Sequence, residues 1–138
     1  MVQIINFNLP QYEWQKDMNI IIQDASINKI KFLSANSILF SFTDIDNGND
    51  HKNLICNNIW KQCGEYNFEK GDDFPIFIGD VRTIKLINAS DVKAAFDYLN
   101  YSYGIPVSSG YNLVCIDSGE VSVTLICETV LINQIKIQ

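Results

Sequence analysis

The chain has one histidine, His51, in 138 residues, and no complete nucleotide, metal or nucleophile motif. A single imidazole leaves little for a histidine-based metal site or an acid–base pair. Positive charge is also scarce: ten Lys and Arg face sixteen Asp and Glu, for a net charge of -6. With no basic run to track phosphates, nucleic-acid binding is disfavoured. No apolar stretch reaches membrane-spanning length; the longest, residues 124–132, is interrupted by Glu128. The start, MVQIINFNLPQYEW, lacks the basic opening, apolar run and small-residue cleavage site of a secretory signal, which predicts a cytoplasmic protein with no membrane contact. Internal repeats, low-complexity tracts and linkers are likewise missing.

What is present describes a folded body. Hydrophobic residues make up 47% and charged residues 19%, which excludes a disordered chain and predicts one domain over 1–138. Strands are predicted at 2–8, 18–23, 27–33, 37–43, 54–60, 75–78 and 81–87, with a helical turn at 11–17. Ile38, Phe40 and Phe42 alternate, so they share one face. The segment 111–116 is apolar at successive positions, the mark of a strand covered on both sides. Val121, Val123 and Leu125 alternate with Ser122 and Thr124, which predicts one wet face. Residues 130–137 extend that strand or form another. One full helix is predicted, with Ser90 as cap, Asp91 in the first turn, an apolar stripe at Val92, Ala95, Phe96 and Leu99, and Gly104 and Pro106 ending it. The fold class is therefore β-dominated α+β, mainly an antiparallel sheet with one principal helix.

The candidate chemical sites dissolve on inspection. The segment DIDNGND resembles a calcium loop, but counting from Asp44 puts glycine fifth and Ile55 twelfth, where the EF-hand needs glycine sixth and glutamate twelfth. A solvated hairpin loop explains it better. His51 beside Asp50 lies in a polar loop and reads as a surface residue. The Ser-Gly pairs at 109–110 and 118–119 are turn chemistry. Asp80 and Arg82 share a face of a regular strand and suit an ion pair at a sheet end. Cys56, Cys63, Cys115 and Cys127 match no zinc spacing and read as reduced thiols, the last two inside apolar strands. No catalytic residue, metal or cofactor is assigned, and no autonomous hydrolysis is expected.

Acidic density peaks at Asp44, Asp46 and Asp50, and again at Asp72 and Asp73. Aromatic anchors are available at Trp60, Tyr101 and Tyr103. These eight residues form the predicted surface for a basic protein partner. A compact acidic body without a catalytic motif resembles the bacterial immunity proteins of toxin–immunity pairs, of the contact-dependent growth inhibition type. That resemblance implies a cognate toxin, often a cationic nuclease, whose cleft is blocked by acidic loops. Two other readings stand beside it. One is an enzyme or small-ligand protein with a site at the sheet end, where Asp80, Arg82, His51 or tyrosines converge. The other is a subunit of a larger assembly joined through an edge strand. Composition and spacing leave the oligomeric state open.

Overall fold

The computed structural model describes residues 18–44, 50–99, 110–117, 120–133 and 135–137. They form strands β1 (Asn19–Ser34), β2 (Ser37–Asp44), β3 (His51–Tyr66) and β4 (Ile76–Leu86), helix α1 (Ala89–Tyr98), then β5 (Tyr111–Asp117), β6 (Val121–Ile132) and β7 (Ile135–Lys136). The expected strand at 2–8 and turn at 11–17 lie outside the described residues. The class is β-dominated α+β with an antiparallel sheet, as the sequence implies.

Hydrogen bonding runs β3-β2-β1-β4-β5-β6-β7, and β3 also pairs with β6. The sheet thus closes on itself as a six-stranded antiparallel barrel, with β7 a short flap on β6. Closure satisfies the ladder that an open sheet would leave bare at its edges. Two pairs of predicted strands are continuous instead. Residues 18–23 and 27–33 fall almost wholly within β1, and 75–78 and 81–87 fall largely within β4. Bulges divide them. Asp24 has φ 49° where the β1–β4 register shifts, and Gly79 has φ 74° within β4. Bulges of this kind bend a long strand around a tight barrel. Gly79 suits its position because L side chains rarely adopt that backbone conformation.

Two apolar cores result. The barrel interior takes Ile27 from β1, Ile38, Phe40 and Phe42 from β2, Leu54 and Cys56 from β3, and matching residues of β4, β5 and β6. The expected common face of Ile38, Phe40 and Phe42 is this inner surface. Outside the barrel, α1 lays Val92, Ala95, Phe96 and Leu99 over Leu86, Tyr111, Leu113 and Ile126. That explains the two-sided apolarity of β5: Val114 and Ile116 face inward, while Leu113 lies under the helix. The helix differs in detail from expectation. Asn88, not Ser90, is the N-cap; its amide donates to the Asp91 carboxylate at 3.2 Å, and no side chain caps the backbone. Leu99 is the C-cap, well short of Gly104.

Among the described residues, no helix is long and apolar enough to cross a membrane.

Candidate functional site

Successive antiparallel connections leave a barrel at alternate ends, and this separates the two acidic segments. The β2–β3 connection, with Asp44 and Asp50, is on the lower rim. The β3–β4 connection, with Asp72 and Asp73, is on the upper rim. They do not form one surface. Asp46, Tyr101 and Tyr103 lie outside the described residues.

The lower rim is partly neutralised. The Asp44 amide donates to the Asp50 carbonyl at 3.0 Å and closes the hairpin base. Lys52 Nζ lies 3.7 Å from the Asp50 carboxylate. An open depression here is lined by Gln23, Asp24, Asp44 and Lys52. His51 is exposed, and its Nδ1 sits 3.1 Å from Thr43 Oγ1, which also accepts from the Asn28 amide. The imidazole therefore engages a threonine, not a carboxylate that would orient it as a base.

Asp80 and Arg82 do pair, at 3.5 Å on the outer face of β4. Asp117 stands opposite Asp80 in the β4–β5 register. Asp44 is on β2, with β1 between it and β4, and follows the inward parity of Phe40 and Phe42. The carboxylates of these strands are not drawn into one cleft. Trp60 is 40% exposed, but it is anchored: its Nε1 donates to Glu128 Oε2 at 3.1 Å and its ring meets Tyr111 edge-on at 6.0 Å. Tyr111 in turn meets Phe96 edge-on at 6.2 Å, so Trp60 belongs to the margin of the helix pad.

The upper rim is more heavily charged. Residues 65–74 read EYNFEKGDDF, with Glu65, Glu69, Asp72 and Asp73 against Lys70. The loop is ordered by its own polar groups. Asp72 accepts from the Glu69 amide at 2.7 Å, and its amide returns to the Glu69 carbonyl at 3.0 Å. Asp73 accepts from the Phe74 amide at 2.8 Å. The Asn67 amide donates to the Glu120 carbonyl at 2.8 Å, tying the loop to the β5–β6 connection. Three aromatic rings stand in the same segment. Tyr66 and Phe68 lie 6.1 Å apart at 41°, and Phe68 and Phe74 lie 6.5 Å apart at 78°. Their exposures are 44%, 44% and 40%, and Phe77 beyond them is 53% exposed. The Tyr66 ring folds over Gly64, where a Cβ would come within 3.2 Å of it, and partial burial raises its phenol pKa. Sequence reading missed these aromatics. The available signal was Tyr66, Phe68 and Phe74 recurring inside an acidic stretch otherwise irregular in pattern.

All four cysteines are free thiols. Cys56 shares a hydrogen bond with Cys127 inside the barrel; that bond, with burial, holds the Cys56 pKa well above the ordinary thiol value. Burial pushes Cys115 up to about 11. Cys63 is exposed, and its Sγ lies 3.8 Å from the Leu99 carbonyl. Among the described residues, no group of three or more His, Cys, Asp or Glu is placed to hold a metal ion.

No family profile and no curated protein sequence matches the chain. Among solved structures, it is similar to an uncharacterised protein from Neisseria gonorrhoeae, at 24% identity and a TM-score of 0.56, over 83% of this chain and 95% of that one. At that identity the likeness speaks for the fold alone.

Proposed function

We propose that this is a non-catalytic acidic binding protein that neutralises a basic protein partner, and that it does so through the upper rim. The observation that carries the reading is the coincidence of net acidic density, four carboxylates against one lysine, with exposed aromatic surface at residues 65–74. A negative field steers a basic partner into encounter, and large rigid side chains then slow its release. The lower rim is the weaker candidate, because Lys52 offsets Asp50 there. The barrel interior is lined by buried apolar side chains, which also supports binding on an outer surface. In its finer form, the proposal is an immunity protein of a bacterial toxin–immunity pair, acting in the cytoplasm on a cationic toxin nuclease.

The test begins with capture of partners from the native host by the full chain. Association kinetics are then compared for wild type, an upper-rim variant (Glu65→Gln with Glu69→Gln) and a lower-rim variant (Asp44→Asn with Asp50→Asn). The upper-rim variant is expected to associate several-fold more slowly and with a flatter salt dependence. Capture of an acidic partner, or upper-rim kinetics equal to wild type at low salt, overturns the reading.

A further inference from the structure

We infer that the aromatic cluster of the upper rim is a receptor for an arginine side chain, whose guanidinium stacks on an exposed ring face within the cluster of Tyr66, Phe68 and Phe74. This rests on the basic-partner reading above and names what the partner must present.

The contrast within the chain makes the argument. Phe40, Phe42 and Phe96 are 0–1% exposed, so this fold has room to bury phenylalanine where packing is the purpose. Phe68 and Phe74 are kept at 44% and 40% exposure, beside Tyr66, on a loop held by side-chain and backbone hydrogen bonds. Exposed apolar surface grouped in this way marks an interaction site. Tyr66 and Phe68 are tilted at 41° and Phe68 and Phe74 meet edge to face at 78°, so neither pair is stacked face to face. Aromatic faces carry the negative end of the ring quadrupole and attract cations. Glu65, Glu69, Asp72 and Asp73 add a negative field of the same sign. An apolar partner would find those carboxylates unfavourable, and an acidic one would be repelled. A guanidinium suits the site better than an ammonium because it is planar, weakly hydrated and stacks on ring faces. Because the loop is already ordered, little conformational freedom remains to be lost on binding.

The probe is an acetylated, amidated tetra-arginine peptide added to the full-length protein, followed by aromatic ring resonances in NMR titration. Its controls are tetra-lysine and tetra-citrulline, the latter matching arginine in shape without charge. Tetra-arginine is expected to shift the rings of Tyr66, Phe68 and Phe74 and to bind more tightly than tetra-lysine. The double variant Phe68→Leu, Phe74→Leu keeps apolar area and charge but removes the ring faces. It is expected to bind tetra-arginine about five- to thirtyfold more weakly. Tyr66→Leu gives an independent variant, and an unchanged urea midpoint confirms folding for each. If the leucine variants bind as well as wild type while Glu65→Gln with Glu69→Gln still weakens binding, the arginine receptor is overturned and the basic-partner reading survives. If tetra-citrulline binds as tightly as tetra-arginine, charge is not being read and both fall. No ring shift at millimolar tetra-arginine overturns the receptor outright.

Discussion

Truncating Phe96 to alanine tests whether the helix and the barrel form one cooperative unit. The Phe96 side chain is fully buried and meets Tyr111 edge-on at 6.2 Å. Its neighbours Leu86, Leu113 and Ile126 lie on the outer face of strands whose inner face lines the barrel. Removing a buried phenylalanine costs about 3–5 kcal/mol, counting lost transfer energy and the cavity left behind. Because β4, β5 and β6 serve both cores, that loss is expected to appear in global unfolding. At a urea m-value of roughly 2 kcal/mol/M, the midpoint falls by about 2 M with the slope unchanged. Leu125→Ala, on the barrel side of β6, is the companion and is expected to cost about 2–5 kcal/mol. Urea denaturation followed by far-UV circular dichroism and by Trp fluorescence reads both. The reasoning is refuted if Phe96→Ala shifts stability by less than about 0.5 kcal/mol while the helix amides alone lose hydrogen-exchange protection. The helix would then be a separable cover, and the two cores would be energetically independent.

Three further outcomes follow from the geometry. Cys115 is protonated in both folded and unfolded chains below pH 9; between 9 and about 11 the unfolded chain loses its proton while the folded one keeps it. Stability contributed by this group should therefore fall by about 2–3 kcal/mol across that window, so wild type and Cys115→Ala with parallel alkaline limbs would refute the assignment. Alkylation of the native protein should label Cys63 first, with Cys56 and Cys127 protected until unfolding, and four labels should be found under denaturing, non-reducing conditions; fewer would show a disulfide. Gly79→Ala should destabilise by about 1–2 kcal/mol through its positive φ alone, since the nearest atom to an added Cβ is the Asp117 carbonyl oxygen at 3.7 Å; a neutral result would show that the bulge relaxes.

Local patterns in this sequence carried the strands and their inward faces, because alternation is set by the pleat itself. Phe40 and Phe42, or Val123 and Leu125, needed no tertiary information to be placed together. Ring closure was not legible, because the β3–β6 seam joins segments far apart in the chain and no residue type marks it. Nor was the bulge at Asp24, a non-glycine residue at positive φ that sequence gives no cause to single out. The Asp72–Asp73 segment was legible as a loop, whereas His51 and residues 52–53, expected in the other loop, open β3; that the two acidic segments sit on opposite rims was not legible. That depends on counting strand directions around a ring whose closure was unknown. Trp60 was expected as an aromatic anchor; that its indole is also tied to Glu128 and Tyr111 rests on pairings visible only in three dimensions.

The β3–β6 seam also sets an order of events for the folding chain. It brings Leu54 opposite Ile132 and Tyr66 opposite Val121, whereas the β1–β2 and β2–β3 ladders join neighbours in sequence. A chain emerging from synthesis can form that first meander early, but the ring stays open until β6 has been made. Pairing between distant segments is slow to nucleate, and in the interval β3 presents an unpaired backbone beside apolar Ile55 and Ile59. The seam that hides every ladder bond in the finished barrel is thus the one whose late arrival leaves the nascent protein most open to pairing with the wrong strand.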